Sequence, residues 1–141
     1  MNGENIKGER GYLQIEYPYK RGELPRIEKI YFRKGIKYIN NAMLLNMIKK
    51  YTSAFSVDDC IEYFENYLTV VVLPNSAEII EKDAFKNSKN LKSVIAYPNS
   101  HLKEIKDNAF LNCESLKHLG LNSCSKLDKI ASSAFINTLV G

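Results

Sequence analysis

Apolar positions in the second half of the chain recur in one pattern: apolar, two free positions, apolar, one free position, apolar. It is read in Leu68-Val71-Leu73, Leu91-Val94-Ala96 and Leu116-Leu119-Leu121. β-Branched residues within these segments, and Pro or Asn beside them, predict short strands. Downstream of each strand a second set of columns repeats. Ala84-Phe85, Ala109-Phe110 and Ala134-Phe135 lie 25 residues apart, as do Ile80, Ile105 and Ile130, and Asn87, Asn112 and Asn137. Such self-similarity marks an array of stacked units that bury one continuous core.

Each column has a physical reading. Asp83, Asn108 and Ser133 precede the Ala-Phe pairs, and these residue types can cap the free amides of a helical turn. Ala permits close approach and Phe fills the coil. Asn two residues later tolerates the left-handed conformation that ends a turn. The expectation is one α- or 3₁₀-turn per repeat. Leu68 to Ile80 spans 12 residues, against 14 for Leu91 to Ile105 and Leu116 to Ile130, so the first of these coils has the shorter connection.

A degenerate fourth unit precedes them. Ile27, Ile30 and Phe32 fit the strand pattern, Ile39 follows Ile27 by 12 residues, Met43-Leu44 stand in the Ala-Phe columns, and Asn46 stands in the Asn column. About 18 residues beyond the needs of a repeat then separate Asn46 from Leu68. Within them Val57, Ile61, Phe64 and Leu68 follow helical spacing, with Ser56 as cap; a distorted short repeat over 51–66 is the alternative. Leu13, Ile15 and Tyr17 alternate before a turn at Lys20–Glu23. Residues 1–26 are therefore expected to form a strand or hairpin cap, and residues 27–141 a solenoid with a helical insertion at 47–67. No equivalent cap is readable at the C-terminal end. That suggests a longer array, or an end covered by a partner or by self-association.

The segments "LPNSAEIIEKDAF" and "LKSVIAYPNSHLKEIKDNAFLNCESLK" resemble the BspA-like class of leucine-rich repeats, over residues 68–138. Cys113 matches the small apolar slot of that class; Ser88 and Thr138 take its place in the other units. The resemblance implies an α/β repeat: a right-handed leucine-rich-repeat solenoid, with short parallel strands on the concave face and short helical or 3₁₀ turns on the convex side. It also implies a binding role, frequent in bacterial surface antigens.

Composition narrows the chemistry. Net charge is +4, from 20 Lys plus Arg against 16 Asp plus Glu, with no polybasic tract, so no nucleic-acid partner is expected. No stretch reaches the roughly 18 apolar residues of a membrane span. The start, MNGENIKGER, lacks the apolar run of a secretory signal, which reads as cytoplasmic as given or as a chain whose leader was removed. The three cysteines, Cys60, Cys113 and Cys124, and two histidines, His101 and His118, have no zinc-ligand spacing. Cys124, in the connection Asn122–Ser125, is expected to be exposed. No nucleophile can be paired with His118. Asp58, Asp59 and Glu62 lack the alternating oxygens and glycine of a calcium loop. Neither a cofactor nor catalysis is expected.

A binding site is expected on strand positions two, three and five, which face outward. These are Glu28, Lys29 and Tyr31; Thr69, Val70 and Val72; Lys92, Ser93 and Ile95; Lys117, His118 and Gly120. Tyr31, Val72 and Ile95 would form an apolar row beside Lys29, Lys92 and Lys117. Such rows with charged rims suit a protein partner, with a glycan as the alternative. Plain sheet surface, or cover by the N-terminal segment, is the competing explanation.

Overall fold

The computed structural model describes residues 4–5, 13–15, 18–19, 28–32, 34–43, 45 and 56–140. The turn expected at Lys20–Glu23 lies outside these residues, as do Ile27, Leu44, Asn46 and the side chains of Cys60 and Phe64.

Strands β4 (Lys29–Phe32), β6 (Val70–Leu73), β8 (Ser93–Ala96) and β10 (His118–Gly120) pair in parallel, in the order β10-β8-β6-β4. Strand β2 (Leu13–Ile15) adds to the free side of β4 antiparallel, with Ile15 opposite Ile30. Strands β1 (Glu4–Asn5) and β3 (Pro18–Tyr19) form a separate antiparallel pair. The Ile column, read from sequence only as core, is also a second parallel sheet. Its members are β5 (Tyr38–Ile39), β7 (Ile79–Ile80), β9 (Glu104–Ile105) and β11 (Lys129–Ile130), in the order β11-β9-β7-β5.

One core lies within the coils. Leu68, Val71 and Leu73, with Leu91 and Val94, are buried inward of the first sheet, and Ile39, Ile80 and Ile105 inward of the second. The Phe column joins the coils. Phe85 stacks on Phe110 at 5.4 Å between ring centroids, and Phe110 on Phe135 at 5.3 Å. Phe32 meets Phe85 edge-on at 6.5 Å, so Phe32 extends the aromatic column into the degenerate coil where no Ala-Phe pair exists.

The turns after the second sheet show why no long helix forms. Ala84, Lys86 and Ser88 donate their N–H groups to the carbonyls of Glu81, Asp83 and Phe85, three residues back. The intervening N–H groups of Asp83, Phe85 and Asn87 donate instead to Asp107, Ala109 and Leu111 of the next coil, at 3.1, 2.8 and 2.8 Å. Successive amides thus alternate between their own turn and the neighbouring coil, whereas an α-helix commits every amide to itself. This corrects the capping role expected of Asp83 and Asn108. Their φ values are 59° and 57°, in the left-handed region, where an N-cap residue is extended. The Asn108 N–H donates across the coils to Ser133 Oγ at 3.1 Å.

Asn87, Asn112 and Asn137 do take the left-handed conformation, with φ of 63°, 61° and 58°. They also form a side-chain ladder. Asn112 Nδ2 donates to Asn87 Oδ1 at 2.9 Å, and Asn137 Nδ2 to Asn112 Oδ1 at 2.8 Å. The degenerate coil solves the same corner differently. Residues 41–43 and 45 are helical, and Asn40 Oδ1 accepts the Met43 N–H at 3.1 Å, the bond of an N-cap. Helix α1 (Val57–Tyr67) follows and reaches the turn side of the array. There burial pushes the Glu65 carboxyl up, partly opposed by a hydrogen bond with the Asn87 side chain.

Candidate functional site

The first sheet places the predicted face in register. Glu28, Thr69, Lys92 and Lys117 lie side by side just before their strands, joined by bonds such as Lys92 N–H to Thr69 O and Lys117 N–H to Lys92 O. Lys29, Val70, Ser93 and His118 form the next column, and Tyr31, Val72, Ile95 and Gly120 the one after. The twelve residues therefore form one surface three columns wide. Their exposures differ. Ile95 is 42% exposed but Val72 only 4%. Val72 lies between Tyr31 and Ile95 in register and is absent from the inner core cluster. It is a second, outer apolar centre, buried where sequence reading made it an exposed member of the row. The Lys29 ammonium sits 5.1 Å from the Tyr31 ring centroid, a cation–π distance.

Sequence reading stopped at strand position five and so missed Tyr97. It lies two residues beyond Ile95, the spacing that keeps a strand residue on one face, and is 49% exposed.

Charge is arranged differently on the two sheets. In the second, the column Lys37, Glu78, Lys103, Asp128 alternates in sign. Lys103 Nζ lies 3.0 Å from Glu78 Oε1, and Lys37 Nζ 4.0 Å from Glu78 Oε2. The Lys103 hydrogen bond holds the Glu78 carboxyl below its usual range, and the same bond raises Lys103. Further along, Lys106 pairs with Glu81 at 3.3 Å. In the first sheet Lys92 and Lys117 are neighbours of like sign. Among the described residues neither has an ion-pair partner. Like charges directly opposite one another on adjacent strands are destabilising, so the fold gains nothing from this pair.

Other polar features carry no chemistry of their own. Cys113 is fully buried and its thiol donates to the Phe85 carbonyl at 3.1 Å. Burial pushes it up to about 12, so the nucleophilic thiolate is not formed near neutral pH. Cys124 is 7% exposed, correcting the exposed thiol expected from its Asn-Ser-Cys-Ser connection; its N–H closes a turn onto Leu121 O. Among the described residues no three His, Cys, Asp or Glu converge as metal ligands, and no helix is long and apolar enough to cross a membrane. A groove of about 520 Å³ between α1 and the asparagine ladder is polar and open, lined by Glu62, Glu65, Asn87, Lys89, Asn112 and Glu114. At the last strand Ile130 is 52% exposed, whereas Ile80 and Ile105 are fully buried.

Comparison with known proteins places this geometry. A family model described as "BspA type leucine rich repeat region" matches residues 58–140 in six copies. Among solved structures, a leucine rich cell surface protein from Faecalibacterium prausnitzii A2-165 is similar, with 20% identity and a TM-score of 0.52. The match covers 84% of this chain and 34% of that one, so the chain spans about a third of that protein's length. At this identity the likeness speaks for the fold. No curated protein sequence matches the chain.

Proposed function

The chain belongs to the BspA-type leucine-rich-repeat family, and from that premise we propose that it is a non-catalytic binding module that takes a protein partner on the outer face of its first sheet. The observation that carries this reading is the unpaired Lys92–Lys117 column beside the apolar row Tyr31-Val72-Ile95. Desolvated apolar centres rimmed by charge are the usual anatomy of protein interfaces. A surface evolved only for stability would alternate charge here, as the second sheet does. We also read residues 1–26 as the cap of the first coil, and place the protein at the cell surface, as the similar structure is named.

The test uses peptides selected from a displayed random library on the folded chain. Joint Lys92→Glu and Lys117→Glu replacement is expected to weaken the selected pool at least tenfold, while Lys103→Glu on the second sheet leaves it unchanged. Equal binding by all three proteins would remove the face from consideration.

The exposed Ile130 favours a second reading, self-association through β11. Light scattering over a concentration series checks it. A species that stays monomeric at the highest concentrations rejects that reading.

A further inference from the structure

We propose that the partner segment is acidic and carries one large apolar side chain, which seats over Gly120 beside Ile95. This rests on the face-binding reading above and gives it a chemistry. The row Tyr31-Val72-Ile95 is continuous until β10, where its fourth member is Gly120. Val72, with a large neighbour on each side, is 4% exposed; Ile95, with Gly120 on one side, is 42% exposed. The step is therefore made by one missing side chain.

Nothing in the fold requires that absence. Gly35 is the only glycine with positive φ among the described residues, so Gly120 is not held in the left-handed region. A Cβ there would meet Val94 O at 3.5 Å and Ile95 Cα at 3.8 Å, ordinary van der Waals contacts. Glycine in a strand interior weakens the strand and often marks a place where a ligand comes close to the backbone. Here it opens the flank of Ile95, with exposed Tyr97 two residues further along.

The charge nearby fixes the rest. Lys92 and Lys117 lie just before adjacent strands, which are about 4.8 Å apart in the hydrogen-bonding direction, without carboxylates of their own. From Lys92 to Ile95, and from Lys117 to Gly120, is three residues, about 10 Å of strand. Side chains on one face of an extended segment recur every second residue, so a segment lying along the strands would meet both features with a carboxylate and an apolar side chain two or four positions apart. An acidic pair would relieve the like-charge contact that the free protein carries, and electrostatic complementarity of this kind sets register and speeds encounter.

The same displayed library, selected on the full chain, provides the probe. Enriched peptides should contain Asp or Glu with Phe, Trp, Tyr or Leu two or four positions away, on the same face of an extended segment. Gly120→Val, which fills the step with a residue suited to a strand, should weaken them at least tenfold. Gly120→Ala should weaken them less, and stands in should the valine variant fail to fold. Enriched peptides without acidic residues, yet weakened by Gly120→Val or by the lysine reversals, would overturn the acidic partner while leaving the face as the binding site. Peptides weakened by none of these changes, or no enrichment over a bare support, would overturn both.

Discussion

The two sheets share one period and one parallel register, yet they treat charge in opposite ways. On the second sheet a column of four residues alternates Lys37, Glu78, Lys103, Asp128, and neighbouring members lie 3.0 to 4.0 Å apart where they pair. Its charges satisfy one another. On the first sheet one position of adjacent coils carries Lys92 and Lys117, on the same face as an apolar row that is buried at Val72 and exposed at Ile95. Stacked coils bring equivalent positions within one strand spacing, so alternation is the low-energy pattern and repetition of sign a departure from it. A departure confined to one face, alongside an outer apolar centre at Val72, is what the proposed binding face rests on.

Both sheets rest on the same core, so the largest prediction concerns what they share. Phe110→Ala deletes the central ring of the stack and should cost about 3–5 kcal/mol in chemical denaturation. A loss below about 1 kcal/mol would mean that the coils are not held through the Phe column. Next in size is the asparagine ladder. Asn112→Ala removes two side-chain hydrogen bonds, each worth about 0.5–1.5 kcal/mol, and places a Cβ at φ 61°. Asn112→Gly removes the bonds alone. The glycine variant should therefore be the more stable by about 1–2 kcal/mol, the cost of left-handed backbone. Equal stabilities would show that the corner relaxes.

Acid titration sharpens the comparison on the second sheet. Because Glu78 is held below the usual carboxylate range, its pair stabilises the protein above the ordinary carboxylate pKa, and that contribution fades as pH falls through the lowered value. Lys103→Met should return Glu78 toward its ordinary range, read by NMR of the carboxyl carbon. An unmoved Glu78 would show that Lys103 is not the cause.

Much of this was legible in the chain. The Phe and Ile columns and the left-handed asparagines follow from a 25-residue interval and from the volume and backbone tolerance of those residue types. The second sheet was harder to see, because its strands are two residues long and offer no alternation to detect. Its charge column was hidden for a related reason: Lys37 and Glu78 are 41 residues apart, across α1, and become neighbours only once the register is known. Asp83 and Asn108 are good caps by type, but here the neighbouring coil supplies acceptors for the amides of the turn, so tertiary bonding overrides a local preference. Val72 followed the same rule, since burial at an outward position depends on what stands in the adjacent coil, whereas Cys124 turns inward and joins the core cluster. The register brings the twelve face residues side by side, but Val72 is buried among them, and that Gly120 makes a step there required the exposure of Ile95.

The central claim is that the charge column of the second sheet serves the fold while the Lys92–Lys117 pair of the first does not. Denaturation midpoints of Lys103→Glu and Lys117→Glu, measured side by side at low salt, test it most directly. Lys103→Glu sets three acidic residues in a row and should lower the midpoint. Lys117→Glu turns a like-charge pair into an opposite one and should raise stability by about 0.2–1 kcal/mol, with both shifts shrinking in salt. A lowered midpoint in both variants would contradict the claim.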